Sequence, residues 1–276
     1  MDEAGASIAY QALVEAVRER RSILFAGAGL SMAVGLPSWA QLIDHMRAEL
    51  GLDAAESDAS YQALAEYYRL QKGSIGALRS WMDRTWCVSE PKVARSRLHA
   101  RIVELDFPIL YTTNYDNNLE AAYRYHGRDF IKIVNARDLS RAGEGQPQIV
   151  KFHGDFEDDR SLVLAETDYL DRLQFDSPLD LKFRADTLGR TLLFIGYSMS
   201  DMNIRVLLHR LWRTWGQSGR AQDRPPSFVF LSKRDPVRDA VLEQWGITVL
   251  SNGEEDPEKS LTAFLERLAA DVKGRP

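Results

Sequence analysis

Ser22-Ile23-Leu24-Phe25-Ala26-Gly27-Ala28-Gly29-Leu30-Ser31 is an apolar run of strand length that passes straight into a glycine-rich turn. A strand ending this way, with a helix beginning behind the turn, is the opening unit of an α/β sheet. Upstream, Tyr10, Leu13, Val14 and Val17 recur at i, i+3, i+4 and i+7, which predicts an amphipathic helix ending at the arginines before Ser22. Downstream, short apolar runs at 109–111, 149–150, 162–164, 192–195, 228–230 and 247–250 alternate mostly with helix-like stretches. Runs that are apolar on both faces belong to parallel sheets covered on both sides. The expected fold class is therefore α/β: a Rossmann-like, largely parallel sheet flanked by helices.

Between about 38 and 105 no convincing strand occurs, and helical patterns are expected near 61–70 and 95–105. This stretch reads as a helical module inserted after the first strand–helix unit of one domain spanning 1–276. At the other end Asp256 is an N-cap and Pro257 a first helical residue, with Leu261, Phe264, Leu265 and Leu268 on one face. A terminal helix packed on the sheet is expected.

Composition narrows the function classes. With 276 residues, 45% hydrophobic and 27% charged, the chain has enough apolar residues for a real core. Its formal charge of −5, with both signs interleaved, offers no field for nucleic acid or an anionic membrane. One cysteine, Cys87, builds neither a disulfide nor a four-cysteine zinc site, so no zinc is expected and a reducing cytoplasm fits. The 22 uncharged residues 22–43 imitate a membrane span, but glycines, Pro37 and polar residues interrupt them.

Four clusters fall at strand ends, where open parallel sheets bind ligands. Gly27-Ala28-Gly29-Leu30-Ser31 suits a pyrophosphate, since glycines let backbone approach it and the helix start offers N–H groups; close packing alone explains the glycines equally well. Thr112-Thr113-Asn114-Tyr115-Asp116 ends the run at 109–111; Asp116 by itself reads as a helix cap, which leaves the rest of the cluster unexplained. His153-Gly154 ends the run at 149–150, and imidazole titrates near neutrality as a general base must, whereas Lys151 reads as structural. Gly196-Tyr197-Ser198 turns Gly196 and Ser198 toward a ligand, with Ser200 or Asp201 capping the next helix. His45, His99, His126 and His209 read as structural. No His-Glu-x-x-His, Cys-x-x-Cys or Gly-x-Ser-x-Gly occurs, so zinc hydrolysis and serine-type acyl transfer lack their parts.

Taken in order, Gly27 to Ser31 with Gly35-Leu36-Pro37-Ser38-Trp39, Thr113 to Asp116, His153-Gly154 and Gly196-Tyr197-Ser198 resemble the sirtuin superfamily across about 22–208. Thr112 to Asp116, Lys151 to Gly154, Glu166 to Tyr169 and Gly196 to Asn203 look most like its bacterial branch of NAD-consuming anti-phage effectors. The resemblance implies NAD as substrate, with Gly27, Ala28, Gly29 and Ser31 on the diphosphate side and Thr113 among the NAD-binding positions. It further implies Asn114 and Asp116 on the nicotinamide side, His153 as catalytic base, and Gly196 and Ser198 around the adenosine half.

Deacetylating sirtuins have Gln where Thr113 stands, and carry zinc cysteines that Cys87 cannot replace. The expected activity is therefore NAD+ glycohydrolysis, giving nicotinamide and ADP-ribose or its cyclic form, in defence by NAD+ depletion. The alternatives are NAD-dependent protein deacylation or ADP-ribosyl transfer, and a non-catalytic NAD or ADP-ribose binding module. The resemblance and the toxicity of an unregulated NADase together imply a homo-oligomer or a separate sensor, a ring-forming ATPase or an argonaute-type protein, with no direct nucleic-acid or membrane contact.

Overall fold

The computed structural model describes residues 3–37, 39–53, 59–86, 88–143, 145–199 and 201–274; the readings placed on Ser38, Cys87 and Ser200 lie outside them. In chain order these residues form α1 (Glu3–Arg18), β1 (Ser22–Ala26), α2 (Gly29–Met32), α3 (Trp39–Leu50), α4 (Tyr61–Lys72), α5 (Gly76–Thr85), α6 (Glu90–Ala94), α7 (Arg97–Glu104), β2 (Ile109–Thr112), α8 (Asn118–Tyr125), β3 (Ile131–Ile133), α9 (Ala136–Arg141), β4 (Gln148–Lys151), α10 (Glu166–Arg172), α11 (Pro178–Leu188), β5 (Thr191–Ile195), α12 (Met202–Gln217), β6 (Ser227–Phe230), α13 (Pro236–Gln244), β7 (Ile247–Leu250) and α14 (Pro257–Lys273). The strands make one seven-stranded sheet in the order β3-β4-β2-β1-β5-β6-β7, and every pairing is parallel.

Two strand readings need correction. Leu162-Val163-Leu164 is not a strand: it is a buried extended segment whose Leu162 and Leu164 side chains join the core of the inserted helices. It is fastened by Val163 N–H to the His153 carbonyl at 2.9 Å and by the Tyr115 hydroxyl to the Val163 carbonyl at 2.7 Å, not by a neighbouring strand. A three-residue apolar run does not tell these two environments apart. Conversely, β3 was missed because Lys132 interrupts its short apolar run and only Ile133 is fully buried.

Alternation along β1 sends Ile23 and Phe25 to one face and Leu24 and Ala26 to the other, so the strand feeds two cores. On the first face Phe25 stacks on Phe194 of β5 with ring centroids 5.0 Å apart. On the second, α1 buries Tyr10, Leu13, Val14 and Val17, and α14 buries Leu261, Phe264, Leu265 and Leu268 beside them. Each such side chain contributes about 2 kcal/mol of transfer free energy. Asp256 caps α14 as expected, its side chain accepting from the N–H groups of Glu258 and Lys259. Between β1 and β2, helices α3, α4 and α5 gather around a third core of Leu42, Met46, Leu64, Tyr68, Leu78 and Met82, whereas α6 and α7 place Val93, Leu98, Ile102 and Val103 against the sheet.

The strand order positions the site. From β1 the chain moves to β2 on one side, and from β5 it moves to β6 on the other, so the carboxyl ends of the neighbours β1 and β5 flank a crevice at the point where the strand order reverses.

Candidate functional site

That crevice opens into a cavity of about 600 Å³, within the range of roughly 300–1,000 Å³ usual for small-molecule sites. Its walls come from four strand ends: Ala28, Gly29 and Ser31 after β1, Thr113, Asn114 and Asp116 after β2, His153 after β4, and Gly196 and Ser198 after β5. Every candidate named from the sequence therefore lines one cavity except Gly27, which stands behind the wall. A Cβ on Gly27 would lie 2.4 Å from both the Gly196 carbonyl oxygen and the Tyr197 ring, so this glycine lets the tips of β1 and β5 touch. The N–H groups of Gly27 and Gly29 are likewise spent inside the protein, on the carbonyls of Ile195 at 2.9 Å and Gly196 at 2.8 Å. The backbone N–H groups expected to face a pyrophosphate are, at these two positions, turned to β5 instead.

Ser31 is the middle of a directed hydrogen-bond chain. Its single hydroxyl hydrogen goes to Asp116 Oδ2 at 2.6 Å, so its oxygen accepts from Asn114 Nδ2 at 2.9 Å. Asn114 Nδ2 also donates to the Gly27 carbonyl at 3.1 Å. With the amide nitrogen committed twice, the group Asn114 can offer a ligand is its Oδ1. Asp116 is 8% exposed, and its Oδ1 accepts from Asn118 N–H at 3.1 Å. It therefore steadies the start of α8 and closes the Ser31 chain, where a cap alone was the simpler reading. Beneath it, fully buried Lys151 donates to the Asp116 carbonyl and lies 3.4 Å from Glu120 Oε1 and 3.7 Å from Asp155 Oδ2. This buried ionic group ties the β4 tip to the loop after β2, which gives the structural reading of Lys151 a definite form. Burial pushes the Glu120 carboxyl above its usual range.

His153 is 3% exposed, buried more deeply than a rim residue would be. Its ring lies against Phe152 and meets Tyr169 edge-on, with centroids 5.4 Å apart. Nε2 is buried without a hydrogen-bond partner and lies 3.7 Å from Asp201 Oδ2. Burial pushes the imidazole down to about 4, with Asp201 pulling the other way. The ring is therefore neutral at pH 7 and able to accept a proton. The other four histidines line no part of this cavity; His45 stacks on Trp81 at 3.9 Å, and buried His99 has its Nδ1 2.9 Å from Ser96 Oγ.

The remaining wall is aromatic and was not assigned from the sequence. Trp39 opens α3, Tyr61 opens α4 and Trp86 follows α5, so the inserted helices point ring-bearing ends at the sheet edge. Trp39 stacks on Tyr61 at 4.7 Å, and the Tyr61 and Tyr169 hydroxyls are 2.8 Å apart. Burial pushes Tyr61 up to about 12 and raises Tyr169 and Tyr197 as well, so all three phenols stay protonated. Trp39, Tyr169 and Asp201 lie inside stretches the resemblance rests on; Tyr61 and Trp86 carry no local signal.

Among the described residues no helix is long and apolar enough to cross a membrane, and no group of three His, Cys, Asp or Glu side chains is placed to hold a metal. The family description "SIR2-like domain" matches residues 108–250. NAD(+) hydrolase ThsA of Bacillus cereus (strain MSX-D12) is 30% identical over 273 residues, 93% of this chain and 56% of that protein. Defense-associated sirtuin 2 of Bacillus subtilis is 28% identical over 206 residues, 71% of this chain and 20% of that protein. The chain thus spans about half the length of the first relative and a fifth of the second. Among solved structures, the crystal structure of a SIR2 homolog–NAD complex aligns over 95% of this chain and 93% of that one, with a TM-score of 0.52 at 12% identity, which is a likeness of fold. With the family match covering more than half of its residues, this chain belongs to the SIR2-like domain family.

Proposed function

We propose that this protein is an NAD+ glycohydrolase that cleaves the bond between nicotinamide and ribose, releasing nicotinamide and ADP-ribose. The observation that carries the reading is the pairing, on one cavity at the sheet's switch point, of a neutral buried imidazole whose Nε2 has no partner with a carboxamide held so that its oxygen is available. The names of the relatives support it. Nicotinamide leaves as a neutral molecule with the bond's electron pair, so the reaction needs no general acid. It needs a water-poor pocket and stabilisation of an oxocarbenium-like ribose. Trp39, Tyr61, Trp86 and Tyr169 limit water, and Asn114 Oδ1 orients a ribose hydroxyl or the attacking water. The Asp116 carboxylate opposes the positive charge developing on the sugar, and His153 takes the proton from water. Thr113, Gly196, Ser198, Ala28, Gly29 and Ser31 hold the rest of the dinucleotide, with Gly27 behind them.

In this reading 1–276 acts as one domain, with helices α3, α4 and α5 as its lid, and it serves defence in the cytoplasm by depleting NAD+ as an oligomer or beside a separate sensor. The same residues would serve cyclisation if a nucleophile of the substrate's own adenosine half replaced water. Chromatography of NAD+ incubated with the protein, alone and with the product of the adjacent gene, tests the reading. Nicotinamide and ADP-ribose are expected, with release falling at least about 100-fold in Asn114→Ala and His153→Ala. Undiminished release in His153→Ala, or none from the parent protein in either condition, overturns it.

A further inference from the structure

Asp201 does more at the start of α12 than a cap requires. Its Oδ1 accepts from Asn203 N–H at 2.9 Å and Ile204 N–H at 3.2 Å, which fixes the carboxylate plane. Its Oδ2 is thereby held on the cavity wall 3.7 Å from His153 Nε2, too far for a hydrogen bond but within ion-pair range, with the two side chains 12% and 3% exposed. The other charged groups facing His153 are Arg172 of α10 and Asp180 of α11, and these pair with each other at 2.6 Å. Tyr169 meets the imidazole edge-on, and Tyr197 lies against Asp201 with its phenol protonated. Asp201 is therefore the carboxylate near His153 whose charge that pairing does not take up. Capping needs only one side-chain oxygen, and Asn or Ser supplies it as well as Asp.

We propose that Asp201 is the positioning residue of His153, the fixed counter-charge that holds the imidazolium formed when His153 accepts a proton. The proposal rests on the NAD+ cleavage reading. In that step the C1′–N bond breaks with its electron pair going to nicotinamide, and a water oxygen bonds to C1′. The water proton passes to Nε2, and the imidazolium returns it to solvent after ADP-ribose leaves. A buried imidazole that resists protonation is a weak base, and a carboxylate fixed beside it favours the protonated form only once the proton has moved.

Capping and counter-charge rank two substitutions in opposite orders. Asp201→Asn keeps the cap and removes the charge, whereas Asp201→Glu keeps the charge and is a poorer cap. Steady-state kinetics with NAD+ and thermal unfolding are measured on both, beside His153→Ala. Asp201→Asn is expected to lose on the order of 100-fold in kcat with KM changed less than about twofold and an unchanged melting temperature. Asp201→Glu is expected to melt lower yet keep the higher kcat of the two. Asp201→Ser, a second capping residue without charge, is expected to follow Asn and replaces it should the Asn variant not fold. Wild-type kcat in the uncharged variant, or a Glu variant no faster than it, overturns the proposal. A His153→Ala protein that keeps full nicotinamide release overturns it too, since no base is then left to position, whereas a parent protein that releases no nicotinamide from NAD+ overturns the NAD+ cleavage reading, so the two failures are distinct.

Discussion

Replacing Gly27 by alanine separates a packing glycine from a ligand glycine. The added Cβ would meet the Gly196 carbonyl oxygen and Tyr197 Cδ2, each at 2.4 Å, where ordinary contact begins at 3.4 Å, so about 1 Å must be recovered twice. Neither neighbour yields freely. The Gly196 carbonyl accepts Gly29 N–H at 2.8 Å, and the Tyr197 ring is wedged edge-on against Phe25 with centroids 5.6 Å apart. Overpacking of this kind costs about 1–3 kcal/mol, and loosening the Gly29 bond adds about 1 kcal/mol, so a loss near 3 kcal/mol is expected. For a chain of this length that corresponds to a melting temperature lower by roughly 6 °C. Thermal unfolding followed by circular dichroism reads it, with KM for NAD+ measured at a temperature where both proteins are folded. A Gly27→Ala protein that melts within about 1 °C of the parent while losing NAD+ affinity would show that the glycine serves the dinucleotide, and would refute the packing argument.

Two further outcomes follow from the buried polar groups. Ser31→Ala leaves Asp116 Oδ2 without its donor and frees the Asn114 amide to turn; urea denaturation should show a loss of about 1–3 kcal/mol, and nicotinamide release should fall at least about tenfold. Burial holds His99 and His153 down to about 4 in the folded protein. The unfolded chain binds these protons first, so the stability they contribute is complete above about pH 6.5 and is lost as pH falls toward 4. At pH 5 the loss is roughly 2 kcal/mol for each histidine, and denaturation at pH 7 and 5 should show about half that dependence in His99→Asn; an unchanged dependence would contradict the assignment of His99.

Where side chains repeat at helical or strand spacing, the sequence was sufficient. Tyr10, Leu13, Val14 and Val17 mark one face of α1, Asp256-Pro257 marks the start of α14, and the run from Ile23 into Gly27 marks β1, because cap geometry and amphipathic periodicity are properties of neighbouring residues. It failed where the same local text suits two environments, as with Leu162-Val163-Leu164 and with β3.

By itself the sequence determined a parallel α/β sheet and the strand ends that carry Asn114, Asp116 and His153, since backbone preference and apolar patterning act over a few residues. Only the tertiary structure decided that Gly27 packs on Gly196, that Ser31 joins Asn114 to Asp116, and that Asp201 faces His153. Each of those relations joins residues far apart along the chain. They exist because β1, β2, β4 and β5 bring their carboxyl ends to one edge, where a side chain's partner is set by strand order and not by its neighbours in sequence.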